Sequence, residues 1–203
     1  MLQAKMRSDC FAEELQLIEN DRLRNFVIEF LNKCVPSYFY VIPASSSGKY
    51  HPQYALGLGG LVRHTKAAVR FADHLLSLEQ NAVINELHHD DIIAALILHD
   101  TFKSGVNKSE HTKFEHPLIA SEVLVIFAKD QYPDMVDVAN KIARLIASHM
   151  GQWNVSNRAK VVLPKPQTEA EKFVHMCDYL ASRQDITVSV TYEPSEEKEE
   201  QPG

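Results

Sequence analysis

Apolar and polar positions recur with helical spacing along most of this chain. Residues 10–34 read as two amphipathic helices broken near Asn20-Asp21, with Asp21 placed to cap the second, "RLRNFVIEFLNKC". From Leu61 to about Leu78, the stripe of Leu61, Thr65, Ala68, Ala72 and Leu75 predicts another helix. Ile92 to Leu98 is apolar on every side, which predicts a central helix capped by Asp90 or a neighbour. Pro117 suits the first turn of a helix over roughly 116–130. Asp134 opens "MVDVANKIARLIASHM", which Gly151 would stop as the residue after the C-cap. Thr168 and Glu171 form a capping box for the last helix, "KFVHMCDYLASR".

Two stretches fall outside this rhythm. "VPSYFYVIPASSSGKYHPQYALGLGG" predicts a long ordered loop, because a segment of that length in a compact domain is either functional or disordered and this one is rich in aromatics. "ITVSVTY" alternates as a short strand or an extended tail. No internal repeat is found. The expectation is an all-α domain over residues 48–192. Residues 1–47 would supply N-terminal helices packed on its core, and 193–203 a disordered acidic tail.

Composition adjusts this picture in a few places. At 203 residues, 45% hydrophobic and 24% charged, the chain has enough apolar material for one real core. Much of the net charge of −6 sits in "EPSEEKEEQPG"; without that tail about −2 remains, which excludes the broad basic face of a dedicated duplex binder. A short nucleic acid held in a small groove stays possible. The longest apolar run falls well short of the ~20 residues that span a bilayer, so no membrane association is expected. The acidic, helical N-terminus does not read as a signal peptide. Cys10, Cys34 and Cys177 make no C-x-x-C pair and no disulfide framework, and a cytoplasmic location is the resulting expectation.

Ten histidines are the compositional oddity. Six residues stand on or beside apolar helices: His64, His99, Asp100, His116, His149 and Asp178. Burying an imidazole and a carboxylate at the end of "IIAALILHD" is costly unless something pairs with them. Taken singly, each of the six could be a hydrogen-bonded core residue or a cap. Taken together, they are the nitrogen and oxygen donors that divalent metals prefer, and a metal would offset the burial cost. His89-Asp90 reads as a decoy, since acids are expected at a helix N-terminus. His74 reads as exposed and His111 as part of a polar loop. His175 reads either as an orienting neighbour of Asp178 or as ordinary packing.

The motifs "LVRHT", "LILHDTFK", "FEHPLIASE", "IASHMGQW" and "HMCDYLASR" resemble those of the HD-domain metal-dependent phosphohydrolases, over roughly residues 48–185. The order H…HD…H…H…D matches the two-metal subset. "KYHPQYALGLGGLVRHT" is most similar to the HD module of bacterial 3′→5′ exoribonucleases and of small phage-associated hydrolases. The nucleic-acid-binding domain of those exoribonucleases has no counterpart in the 47 residues before this segment, which favours a small substrate.

The resemblance implies an HD-domain helical bundle with the metal site at its centre. It implies one divalent ion held by His64, His99, Asp100 and Asp178, and a second held by His116 and His149 with Asp100 bridging. Two ions about 3.5–4 Å apart would share a hydroxide that attacks phosphorus in line. Mn, Fe, Co, Ni and Zn all suit the donor set. Lys103 reads either as a helper that offsets phosphoryl charge or as a surface lysine at a helix end. Lys49, Tyr50, His51 and Tyr54 precede the Gly59-Gly60 turn and, with Trp153, Asn154, Arg158 and Arg183, are candidates to hold a phosphate and stack a base. The implied function is hydrolysis of a phosphoester or phosphoanhydride bond of a nucleotide. The alternatives are a 3′→5′ exonuclease on short single strands and a non-catalytic nucleotide-sensing module. All six motif positions are intact, which favours an enzyme. The apolar N-terminal helices leave room for a homo-oligomer.

Overall fold

The computed structural model describes residues 6–45, 48–157 and 159–186. Among these residues the fold is all-α, with seven α-helices: α1 (Ala12–Gln16), α2 (Asp21–Lys33), α3 (Gly60–Leu76), α4 (Ala82–Leu98), α5 (His116–Gln131), α6 (Val136–Ala147) and α7 (Glu169–Ala181). The second half of α4 is the axis of the bundle. Ile92 through Leu98 are each 0% exposed, and α2, α3, α6 and α7 all pack against this helix. Full burial of such side chains contributes roughly 1.5–3 kcal/mol apiece, so the run predicted to be central is what the bundle condenses around. α5 packs chiefly on α6, and α3 on α7.

The N-terminal helices join the same core. Phe30 of α2 meets Phe127 of α5 edge-on at 5.6 Å and Phe102 at 6.4 Å. Phe11, Phe26 and Phe39 are fully buried with them. The long loop is ordered by 3₁₀ turns at Ser37–Tyr40 and Gln53–Ala55. Its Tyr38 hydroxyl donates to the Gly105 carbonyl at 2.5 Å and accepts from the Ser104 N–H, pinning the turn that follows α4. Arg63 of α3 donates to the carbonyls of Tyr54, Leu56 and Leu58 and so holds the loop against the helix start. Gly60 is required where that loop meets α3, because a Cβ there would fall 2.2 Å from the Ala55 carbonyl oxygen.

Several helix ends differ from the sequence expectation. Asn20, not Asp21, caps α2: its side chain accepts from Leu23 N–H, and Asp21 is already the first helical residue. α4 begins at Ala82, eight residues before Asp90. Its first turns are solvent-facing, with Val83 and Leu87 exposed, so they carry no apolar stripe to read. Asp90 lies within α4 and caps a different helix: its carboxylate accepts from the main-chain N–H groups of Glu19 and Asn20, where α2 begins. α6 ends at Ala147 and Gly151 closes the turn after it, since His149 and Met150 leave the helix to face the cluster described below. The capping box holds as read, with Thr168 accepting from Glu171 N–H and Glu171 accepting from Thr168 N–H. Ile186 ends a 3₁₀ turn; the rest of "ITVSVTY" and the acidic tail lie outside the described residues.

Burial alone would raise the Asp90 carboxyl, but the Asn20 and Glu19 N–H groups and His89 outweigh it and hold it below its ordinary value. Its capping contribution is therefore present above the usual carboxylate range and lost as pH falls through the depressed value. Asp90→Ala should cost about 0.5–2 kcal/mol near neutral pH. Urea unfolding should show the difference from wild type closing in strong acid.

Candidate metal centre

Six side chains from five helices or their ends converge in the core. His64 projects from α3, His99 and Asp100 follow the last turn of α4, His116 opens α5, His149 follows α6, and Asp178 sits on α7. The four histidines and Asp100 are at most 2% exposed. Their donor atoms form three overlapping triads whose members lie within 4.8 Å of one another: His64, His99 and Asp100; His99, His149 and Asp178; Asp100, His116 and His149. Sequence order alone had grouped the same six.

The protons on these histidines are set by local backbone. His99, His116 and His149 each place Nδ1 2.7 Å from the carbonyl three residues earlier, those of Leu96, Lys113 and Ile146. A carbonyl can only accept, so Nδ1 carries a hydrogen, and in the neutral ring Nε2 turns a lone pair toward the centre. There Nε2 of His116 lies 3.3 Å from Nε2 of His149 and 3.0 Å from Asp100 Oδ1. His99 Nε2 is 3.5 Å from Asp100 Oδ2 and 3.4 Å from Asp178 Oδ1, and His64 Nε2 is 2.9 Å from Asp178 Oδ1. His99 Nε2 and Asp100 Oδ1 are buried with no hydrogen bond. Where both rings are neutral, as at His116 and His149, two Nε2 lone pairs face each other and repel unless a proton or a cation lies between them.

The charge states point the same way. Burial opposes ionisation of Asp100, but Lys103, His99 and His116 outweigh it and hold the carboxyl well below its ordinary value. Asp178 is likewise held well below by His64 and His99 against the cost of burial. Burial pushes His149 down to about 3, with His99 adding to it, so its imidazole is neutral. His99, although buried, is drawn upward because it lies between two carboxylates. The centre thus attracts positive charge, and Lys103, 2.5 Å from Asp100 Oδ2, is the one such charge the protein itself puts there among the described residues. The donor set and the orphaned atoms fit divalent ions.

A cleft of 540 Å³ opens onto this cluster. Asp100, His149 and Asp178 line its floor with Lys103, and Tyr50, Trp153, Tyr179 and Arg183 line its upper walls. His51 also faces it, with its ring 5.4 Å from that of His64. Burial, with Lys103 and His64 nearby, lowers His51 to about 4. Two sequence candidates lie elsewhere. Tyr54 donates its hydroxyl to the Ala181 carbonyl at 2.9 Å and does not line the cleft; Lys49 lies behind Tyr50, its Nζ 5.1 Å from that ring. Asn154 is buried and bonds the Leu163 carbonyl, and Arg158 lies outside the described residues. Tyr179, Ser182 and Met150 line the cleft and had not been singled out. Ser182 is four residues beyond Asp178, a helical spacing that could have disclosed it.

The remaining histidines sort themselves. His74, His88 and His111 are exposed. His89 bonds Asp90 at 3.0 Å, away from the cluster. His175 bonds the His149 carbonyl through Nδ1 at 2.7 Å, and so braces the segment carrying His149. Burial pushes the Cys177 thiol up to about 12, in keeping with a small apolar role.

The His175 brace explains Gly151. Its φ is +57°, and a Cβ would stand 2.2 Å from the His175 ring. Gly151→Ala should cost about 1–3 kcal/mol in urea unfolding. Removing the ring in the double variant Gly151→Ala/His175→Ala should return part of that loss. Strictly additive costs would rule out the clash as the cause.

A family model described as the HD domain matches residues 60–183, which is α3 through the end of α7 and well over half of the chain. The chain is also 25% identical over 183 residues to the dihydroneopterin 2′,3′-cyclic phosphate phosphodiesterase of Methanocaldococcus jannaschii, covering 85% of this chain and 68% of that protein. No solved structure matches at a significant level. Among the described residues no helix is long and apolar enough to cross a membrane. The chain belongs to the HD-domain family and is a phosphohydrolase of that superfamily.

Proposed function

We propose that the chain hydrolyses a phosphoester bond of a small nucleotide-like molecule, with divalent ions held by the six clustered residues. The observation that carries this reading is the set of imidazole lone pairs aimed at two ionised carboxylates on the floor of an open cleft. His64, His99, Asp100 and Asp178 would hold one ion; His116 and His149, with Asp100 shared, would hold a second. Bound divalent ions supply Lewis acidity to the phosphoryl oxygens and lower the pKa of water. The relative's printed activity on a 2′,3′-cyclic phosphate supports a phosphodiester as the bond broken here.

The protein's own groups do the rest. Nδ1–H bonds to carbonyls keep three imidazoles in one tautomer and one orientation, so no reorganisation is needed when charge arrives. Lys103 lines both the cleft and the Asp100 carboxylate. From there its ammonium can donate to a phosphoryl oxygen and offset charge as that oxygen becomes more negative. Lys103→Ala should lower kcat roughly 10²-fold or more while leaving bound metal largely in place. Lys103→Arg should restore less than half of that loss on the free-energy scale, because its fork does not replace a point charge.

Elemental analysis of protein purified without added metal tests the metal assignment. Wild type should carry about two equivalents by the pair reading, and His149→Ala fewer. Asp100→Ala should remove turnover of a nucleoside 2′,3′-cyclic phosphate and lower metal content with the helical circular dichroism retained. Normal turnover by Asp100→Ala would end this reading. Wild type that holds no metal and takes none up would favour the nucleotide-sensing module.

A further inference from the structure

We propose that the upper wall of the cleft is a subsite for one planar heteroaromatic ring, which restricts the substrate to a single nucleotide-like unit. This rests on the phosphohydrolase reading and narrows it to a substrate class.

Three large rings open onto one cleft although core packing does not use them. Tyr50 is 52% exposed, Trp153 42% and Tyr179 36%. Exposed aromatics gathered at a concave site mark ligand contact more often than chance. Trp153 and Tyr179 stack nearly parallel, with centroids 5.5 Å apart and planes 14° from each other, so the wall already holds one aromatic stack that a further ring could extend. The Arg183 guanidinium completes it. Its Cζ lies 4.9 Å from the Tyr179 centroid, 5.4 Å from Tyr50 and 5.9 Å from Trp153. Its Nε donates to the Ser182 hydroxyl at 3.2 Å, and it meets no carboxylate among the described residues. A cation held on aromatic faces rather than on an acid is free to pair with an anion or to stack on a ring.

Each wall residue is tethered close to the cluster. Trp153 follows His149 by four residues, and Tyr179 adjoins Asp178 on α7. Both rings line the cleft whose floor holds Asp100 and Asp178, so the aromatic stack and the carboxylates share one space. The opposite wall is fixed to the same helix end. Gln184 donates its main-chain N–H to the Tyr50 carbonyl at 2.9 Å and its side-chain amide to the Lys49 carbonyl at 2.8 Å. Tyr54 donates to Ala181 at 2.9 Å. These three bonds tie the loop that carries Tyr50 to the end of α7 and the residues just after it. A volume of 540 Å³ accommodates one small ligand.

Trp153 is the single tryptophan of the chain, so intrinsic fluorescence reports this subsite directly. The full chain is titrated with guanosine 2′,3′-cyclic phosphate, and glycerol 1,2-cyclic phosphate, the same bond without a ring, competes against it. Saturable quenching is expected, with the glycerol compound competing only at tenfold or higher concentration. Tyr179→Ala should weaken guanosine binding roughly tenfold, the scale of one lost base–aromatic stack, and Tyr179→Phe should restore it. Absent quenching, equal competition by the glycerol compound, or unchanged binding in Tyr179→Ala would overturn the ring subsite. A trinucleotide that binds more tightly than the mononucleotide would overturn the single-unit limit in favour of a short strand. Because binding is read without turnover, failure to hydrolyse the cyclic phosphate with added Mn or Co would count against the hydrolase reading and leave the subsite standing.

Discussion

Two ionised carboxylates and four imidazoles are gathered at the buried floor of one cleft, and the rest of the structure follows from making that tolerable. Asp100 is 1% exposed, and among the described residues Lys103 is the one lysine or arginine paired with it. Removing charge from water costs several kcal/mol per ion, more than a single ammonium returns. The lone pairs of His116 and His149 at 3.3 Å add to the strain. A stability-optimised bundle would fill this centre with leucine. Its place at the end of the most apolar helix is that of a site where stability is exchanged for chemistry.

The helices hold this centre by one repeated local device. His99, His116 and His149 each lie at a helix boundary and each bond the carbonyl three residues back. In each, the imidazole N–H adds a bond to a carbonyl of the adjoining turn and so aims the other nitrogen inward. The same contact therefore finishes a turn, selects a tautomer and orients a donor. Because the device is local, it works at three distant points of the chain without requiring them to pack alike. Burial of Ile92–Leu98 then brings those points together.

Above the rigid floor, the cleft wall is assembled differently. Its residues come from the long loop, from the turn after α6 and from the end of α7, which are joined by bonds between side chains and main-chain carbonyls. Only Tyr50, His51, Trp153 and Arg183 of the proposed substrate contacts reach it; Tyr54 serves as a tie and Lys49 backs Tyr50. On the proposed reading the phosphohydrolase chemistry belongs to the floor and selectivity to the wall.

What the sequence by itself determined is whatever depends on neighbours along the chain. The apolar run before His99-Asp100 announced a buried helix with a polar end, Thr168 and Glu171 announced a start, and the order of six residues announced the cluster. Periodicity reports a helix only where one face is buried, so the solvent-facing first turns of α4 passed unread and Asp90 was placed at its start. Tertiary structure decided the rest, because the partners lie far apart in sequence. Asp90 caps a helix about 70 residues earlier. Tyr54 ties down a carbonyl 127 residues later. Tyr179 and Arg183 become a cleft wall only once Tyr50 and Trp153 are brought beside them. Local hydrogen bonds and burial periodicity are written into adjacent residues; which exposed aromatic meets which cation is settled only when the bundle closes.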